Sequence, residues 1–175
     1  IAVQNQKYAE RFKKIGANQE QLTVTGSIKF DGAESNRDNP KTLELAKLSG
    51  IKDDDIVLLV GSSQVEEEEL CLHFFKNHLN TFPRLKLILV PRHPERFDEV
   101  AQMCQQTGIP FVRRSEMGST NNGNRRLLLV DVIGELGAWW GLTEIAFVGG
   151  TLGSRGGQNM IEPAAYGAAV SFGPN

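Results

Sequence analysis

A length of 175 residues, 40% of them hydrophobic, is enough for one domain with a buried core and a small appended piece. The formal net charge of -2 and a pI near 6.0 supply no broad basic field, which excludes a nucleic-acid polymer as partner and leaves room for a small anion. No signal peptide and no apolar run long enough to span a bilayer is visible, and Cys71 and Cys104 lack paired or metal-like spacing, so they read as reduced thiols of a cytosolic setting.

The chain opens on Ile1-Ala2-Val3, which reads as mid-strand, and closes on Gly173-Pro174-Asn175 just after another, so a longer protein is expected. From Asn5 to Ile15, Tyr8, Phe12 and Ile15 share one helical face and Gly16 ends the helix. Leu22 to Thr25 is a short strand. Gly26 to Pro40, with FDGAESNRDNP at its centre, has the Gly, Ser, Asn, Asp and Pro content of a linker. The expected division is therefore residues 1–28 as the end of an earlier domain, 29–40 as linker and 41–175 as the main domain.

Asn39 caps a helix that has Pro40 at its first position and runs to about Leu48. Ile56 to Val60 is an apolar strand, Val65 to Phe82 a long helix, Leu85 to Val90 a strand, Glu95 to Thr107 a helix and Phe111 to Arg113 a short strand. Met117 to Asn124 is a polar loop. Leu127 to Val130, Gly134 to Gly141, Ile145 to Val148, Asn159 to Tyr166 and a final short strand complete the alternation of strand and helix. Strands that are apolar throughout, separated by amphipathic helices, predict an α/β fold with a doubly wound, Rossmann-like parallel sheet covered on both faces.

In such a sheet ligands sit beyond the carboxyl ends of the strands, so the residues that follow each strand form the candidate rim. They are Gly61-Ser62-Ser63, Arg92 and His93, Ile133-Gly134-Glu135 and Gly149-Gly150. The loop continues with further glycines at 153, 156 and 157, and backbone N–H groups freed in this way, backed by a helix start, suit a phosphate or carboxylate. Neither G-x-x-x-x-G-K-[ST] nor an early G-x-G-x-x-G is present, which argues against a P-loop NTPase and a dinucleotide dehydrogenase.

Arg92 is stiffened by prolines on both sides of the Arg-His pair and suits bidentate phosphate binding; the plain alternative is a solvated helix-entry turn. His93 is equally well read as satisfying local backbone, and His73 and His78 as surface or structural residues. Glu66 to Glu69 fit a solvated first helical turn, where the macrodipole favours acids. Trp139 and Trp140 belong in the core or against a partner domain. Asn159 and Glu162, three apart, either form a capping box or share a face toward a ligand, and the two readings are compatible.

These strings, VTGSIKFD (Val24 to Asp31), LILVPRHPERF (Leu87 to Phe97), DVIGELGAWWGLTEIAFVGGTL (Asp131 to Leu152) and SRGGQNMIEPAAYG (Ser154 to Gly167), closely resemble the C-terminal half of the Kdo transferases. Those are GT-B glycosyltransferases that add 3-deoxy-D-manno-octulosonic acid to the lipid A precursor of Gram-negative bacteria. The resemblance implies a CMP-Kdo donor contacted by Ser62, Ser63, Arg92, Ile133, Gly134, Glu135, Asn159 and Glu162, and His93, Gly149, Gly150, Gly156, Gly157 and Gln158 on the same rim are the further candidate donor contacts. It implies inverting transfer with no cofactor and no metal, and a catalytic base in the N-terminal half, outside this chain. It further implies that residues 1–28 end the acceptor domain, that the donor domain continues beyond Asn175, and that the intact enzyme works at the cytoplasmic face of the inner membrane while this piece is soluble. Gln158 and Met160 stand where the family carries His and Pro. A GT-B enzyme using a UDP-sugar and a non-catalytic nucleotide-binding module are the competing readings.

Overall fold

The structure is a computed structural model, and it describes residues 1–27, 31–118, 125–154 and 156–175. The chain divides into two compact units, Ile1–Ala33 and Glu34–Asn175. In the first, strands β1 (Ala2–Val3) and β2 (Thr23–Val24) pair in parallel around helix α1 (Gln6–Lys14). Asn5 caps α1 by accepting the Tyr8 N–H at 3.1 Å. The face that packs is not the one expected. Ala9 is buried with Val3 and Leu22, and Phe12 packs against them, whereas Ile15 is 79% exposed and Tyr8 40%. Ala9 has too little side chain to hold the helix off the strand pair, so the tightest contact forms there.

The second unit begins with helix α2 (Pro40–Ser49), capped as expected by Asn39, whose side chain accepts the Thr42 N–H at 3.0 Å. Then follow β3 (Ile56–Ser63), α3 (Val65–His78), β4 (Leu85–Pro91), α4 (Phe97–Gln106), β5 (Phe111–Arg113), β6 (Leu127–Leu129), α5 (Leu136–Trp139), β7 (Ile145–Val148), α6 (Ile161–Ala165) and β8 (Ala169–Ser171). Most of the loop expected at 117–124 lies outside the described residues. The six strands form one parallel sheet in the order β5-β6-β4-β3-β7-β8.

Both faces are covered, as the unbroken apolar strands require. Val57 and Leu59 of β3 pack with Leu45 of α2 and with Trp139 and Trp140. Leu58 and Val60 pack on the other face with Leu72 and Phe75 of α3 and Val100 and Cys104 of α4. A charge is also inside. Lys86 of β4 is 3% exposed, bonds Asp55 at 2.9 Å and donates to the Gly50 carbonyl, so its ammonium enters the sheet layer paired and hydrogen-bonded.

Arg37, within the stretch read as linker, is fastened to the body of this unit. It donates to the carbonyls of Tyr166 and Thr143 at 2.9 and 2.7 Å and to the Glu144 carboxylate, which in turn accepts the Val57 N–H. From β3 the chain runs to β4, β5 and β6 on one side and then returns to β7 on the other, so the order reverses beside β3. That switch point is where an open α/β sheet forms its ligand crevice.

Packing behind the crevice is close. A Cβ placed on Gly61 would lie 2.3 Å from the Trp140 ring, whereas one on Gly137 of α5 would meet nothing within 4 Å. Gly61→Ala should therefore destabilise the protein by about 1–3 kcal/mol through overpacking. Gly137→Ala should be neutral or stabilising by about 0.5–1 kcal/mol. Urea midpoints of the two variants test the contrast.

Candidate functional site

At the end of β3 the register against β4 slips between Gly61 and Ser63, and the intervening Ser62 adopts φ 56°. A left-handed serine costs on the order of 1–3 kcal/mol and persists because its surroundings hold it. Part of that hold is Gly149, at the end of β7. Its N–H donates to the Gly61 carbonyl at 2.9 Å, and a Cβ on it would sit 2.3 Å from the Ser62 carbonyl oxygen. The two strand ends thus meet backbone to backbone, and Ser62 is turned toward the crevice between them.

A pocket of about 130 Å³ opens there. Ser62, Arg92, Gln158, Asn159 and Glu162 supply its polar lining, and Gly61, Leu136, Trp140 and Val148 its apolar floor. Five residues singled out in the sequence, from three separate segments, come together. Arg92 is exposed, and among the described residues no carboxylate pairs with it. The Glu162 Oε1 accepts from the Asn159 amide at 3.0 Å, and Oε2 accepts no hydrogen bond from a described residue. A free guanidinium and a half-used carboxylate in one small cleft can bind an anion and a hydroxyl side by side.

Of the two readings of Asn159 and Glu162, the capping box is not formed. Asn159 Oδ1 accepts the N–H of Ile161, two residues on, as an Asx turn does, and helix α6 starts after Met160. Glu162 is engaged by the Asn159 side chain instead of by a backbone N–H.

The other rim residues are placed elsewhere. Ser63 is fully buried and its hydroxyl donates to Glu68 at 2.7 Å, so of the serine pair only Ser62 lines the pocket. The Gly150 N–H is donated to the Glu67 carboxylate. Gly156 has φ +84°, and a Cβ on Gly157 would lie 2.7 Å from the Thr151 methyl; neither lines the pocket. His93 is half-buried, with Nδ1 3.5 Å from Glu95. At the turn after β6, Ile133 is 74% exposed and Gly134 has φ +87°. The Glu135 carboxylate is held by two bonds from Arg114 and one from Trp139 Nε1, which leaves the backbone of this turn as its offering.

The acidic run at the start of α3 is not a solvated helix start throughout. Glu67 and Glu68 are both fully buried. Glu68 receives Arg96 through two bonds, at 3.2 and 2.7 Å, and also the Ser63 hydroxyl. Burial weakens the hold of Arg96 on its proton, but Glu68 and Glu99 outweigh it and raise its pKa. The arginines of PRHPERF therefore divide: Arg96 is structural and Arg92 is spare. Burial, with Glu67 and Glu68 adding to it, pushes the Cys71 thiol up to about 12, and burial with Glu68 does the same to Cys104. Both thiols are inert. Next to the rim, burial alone would raise the pKa of Asp131. Hydrogen bonds from the Ser115 hydroxyl and N–H at 2.6 and 2.8 Å, and from Arg113 at 2.6 Å, lower it instead.

Among the described residues no group of three or more His, Cys, Asp or Glu is placed to hold a metal ion, and no helix is long and apolar enough to cross a membrane.

The sequence profile described as 3-Deoxy-D-manno-octulosonic-acid transferase (kdotransferase) matches residues 1–32. The 3-deoxy-D-manno-octulosonic acid transferase of Haemophilus influenzae is 36% identical over 174 residues, covering 99% of this chain and 40% of that protein. The chain thus spans about two fifths of the length of that relative. Among solved structures, the C-terminal CMP-Kdo binding domain of WaaA from Acinetobacter baumannii aligns with a TM-score of 0.69 and 34% identity, over 77% of this chain and 69% of that one. Anabaena HepE, solved with UDP and glucose, shares the fold at a TM-score of 0.53 and 12% identity, over 98% of this chain and 43% of its own.

The arginine division predicts opposite outcomes for two substitutions. Arg96→Ala leaves Glu68 buried without its cation and should destabilise the protein by about 3–5 kcal/mol, while Arg92→Ala should leave stability within about 0.5 kcal/mol. Chemical denaturation of both variants reads this out. Asp131 adds a pH effect. Because its folded pKa is depressed, its contribution is complete above the unfolded value of about 4 and is lost as pH falls through the folded value. Asp131→Asn should accordingly flatten the acid limb of stability against pH, measured from thermal midpoints between about pH 5 and 2.

Proposed function

The chain belongs to the 3-deoxy-D-manno-octulosonic-acid (Kdo) transferase family, and from that premise we propose that it is the donor half of a GT-B transferase, seating CMP-Kdo at the β3/β7 crevice. The observation that carries this reading is the unpaired Arg92 beside Ser62, Asn159 and Glu162 at the topological switch point of the sheet. Arg92 binds the phosphate of the donor. Glu162, with one oxygen unused by any described residue, accepts from a ribose hydroxyl, and Ser62, Gln158 and Asn159 complete the polar contacts.

The pocket, at about 130 Å³, is smaller than the roughly 300–1,000 Å³ typical of sites for whole organic ligands. It suits the phosphate and part of the ribose. The cytosine then lies over the exposed turn of Ile133, Gly134 and Glu135, whose backbone groups face the edge of the base.

In the transfer we propose, a hydroxyl of the lipid A precursor attacks the anomeric carbon of Kdo from the face opposite the phosphate, with inversion. The bond from that carbon to the phosphate oxygen breaks, and CMP leaves with an additional negative charge. A carboxylate base from the acceptor domain takes the hydroxyl proton, and no metal is required because Arg92 meets the charge that develops on the leaving phosphate. The setting is the cytoplasmic face of the inner membrane.

Competition binding to the intact protein should rank CMP and CMP-Kdo at least about tenfold above UDP, a difference of about 1.4 kcal/mol. Arg92→Ala should weaken donor binding by about 2–4 kcal/mol, and Arg92→Lys should restore it only in part because an ammonium lacks the planar fork. Equal affinity for CMP and UDP would replace the donor; unchanged affinity in Arg92→Ala would remove the residue from the site.

A further inference from the structure

The glycine-rich loop after β7 looks in sequence like a cradle for a ligand phosphate, yet its amides already hold an anion. Gly150 donates to Glu67 Oε2 at 2.9 Å, and Thr151 and Leu152 donate to Oε1 at 2.9 and 3.2 Å. Gln64 supplies another N–H to Oε2, at 2.9 Å. Glu67 is fully buried, and among the described residues no cation pairs with it. A buried carboxylate is costly unless hydrogen bonds replace its water, and here backbone N–H groups from two chain segments do so. The geometry is that of a phosphate nest with a side chain as its guest.

The clasp also reaches the pocket wall. Gly149, the residue before the clasped segment, has no room for a side chain beside the Ser62 carbonyl, donates its N–H to Gly61, and accepts the Gln158 N–H on its own carbonyl at 3.2 Å. Thr151 in turn accepts the Gly173 N–H on its hydroxyl at 2.7 Å. Displacing the 150–152 segment would therefore move Ser62 and Gln158 together.

We propose that Glu67 is a positioning residue for the donor site, an internal anion that occupies the amides of residues 150–152 and so leaves Arg92 and the Ser62–Gln158 wall to bind the ligand phosphate. The proposal rests on the reading of this pocket as the donor site. It makes the loop a wall of the site and not a contact to the phosphate.

The test uses the intact protein, with hydrogen exchange of the 150–152 amides and CMP affinity as readouts. Glu67→Gln keeps the shape but turns an NH₂ toward N–H donors. It should speed exchange at 150–152 and weaken CMP binding roughly tenfold or more. Glu67→Ala should do the same, and acetate should recover at least part of the CMP affinity by refilling the vacated nest. Inorganic phosphate should slow exchange at 150–152 in Glu67→Ala and leave it unchanged in the wild type. That arm needs no nucleotide, so it judges Glu67 even if wild-type protein binds no CMP and the donor reading fails. CMP affinity unchanged in Glu67→Gln, or no phosphate protection in Glu67→Ala, overturns the proposal. If neither variant folds, amide shifts in the wild type decide. Shifts on adding CMP or phosphate that are larger at Gly150 to Leu152 than at Ser62 and Arg92 overturn it; the reverse order supports it.

Discussion

Two adjacent carboxylates at the start of one helix, neither touching water, hold the carboxyl edge of the sheet together. Side chains one position apart on a helix point about 100° apart, so Glu67 and Glu68 reach different neighbours from a common base. Glu67 takes the loop after β7 through backbone N–H groups, and Glu68 takes Arg96 ahead of α4 and the Ser63 hydroxyl at the end of β3. Each carboxylate is buried only because its acceptor capacity is used, which makes the arrangement demanding as well as strong. The strained Ser62 and the backbone contact at Gly149 lie between these two anchor points.

This division sorts charge near the crevice by whether it has a partner. Arg96, Arg113 and Arg114 are each committed to carboxylates. Glu135 is consumed by Arg114 and Trp139. Among the described residues that line the pocket, the Arg92 guanidinium and the second oxygen of Glu162 have no charged partner or hydrogen bond, a cation and an acceptor on separate chain segments of one small cleft. Paired groups set the shape, and unpaired groups are left for a ligand.

Much of the fold was legible because two-sided burial writes itself as unbroken apolar strands, and β3, β4 and β7 read directly. The Asn39 cap, with Pro40 behind it, was legible from its side-chain mechanism. Of the site, the residues that follow strands were legible through the rule that crevices open at carboxyl edges. The role of Glu67 was not. Four consecutive glutamates are chemically alike, and only their partners separate the buried pair from the solvated one: a loop more than eighty positions away for Glu67, and Ser63 with Arg96 for Glu68. The packing face of α1 was missed because periodicity favours large apolar side chains, while contact with a strand pair favoured the small Ala9. Ser63 was misplaced because its place after the strand does not reveal which way its hydroxyl turns, and it turns inward to Glu68.

The space beside Gly61 belongs to Trp140, and the two positions exclude each other: a side chain at 61 requires a smaller ring at 140. The floor of the pocket is consequently inherited as a pair, and a single substitution cannot raise it without dislodging an indole from the core on that face of the sheet. Its rim is under no such restraint. Ile133 and Met160 are exposed, so they can change one at a time. Descent with altered ligand preference in this fold should therefore proceed by drift at the mouth over an immobile base, and divergence among relatives should concentrate where the cleft opens to water.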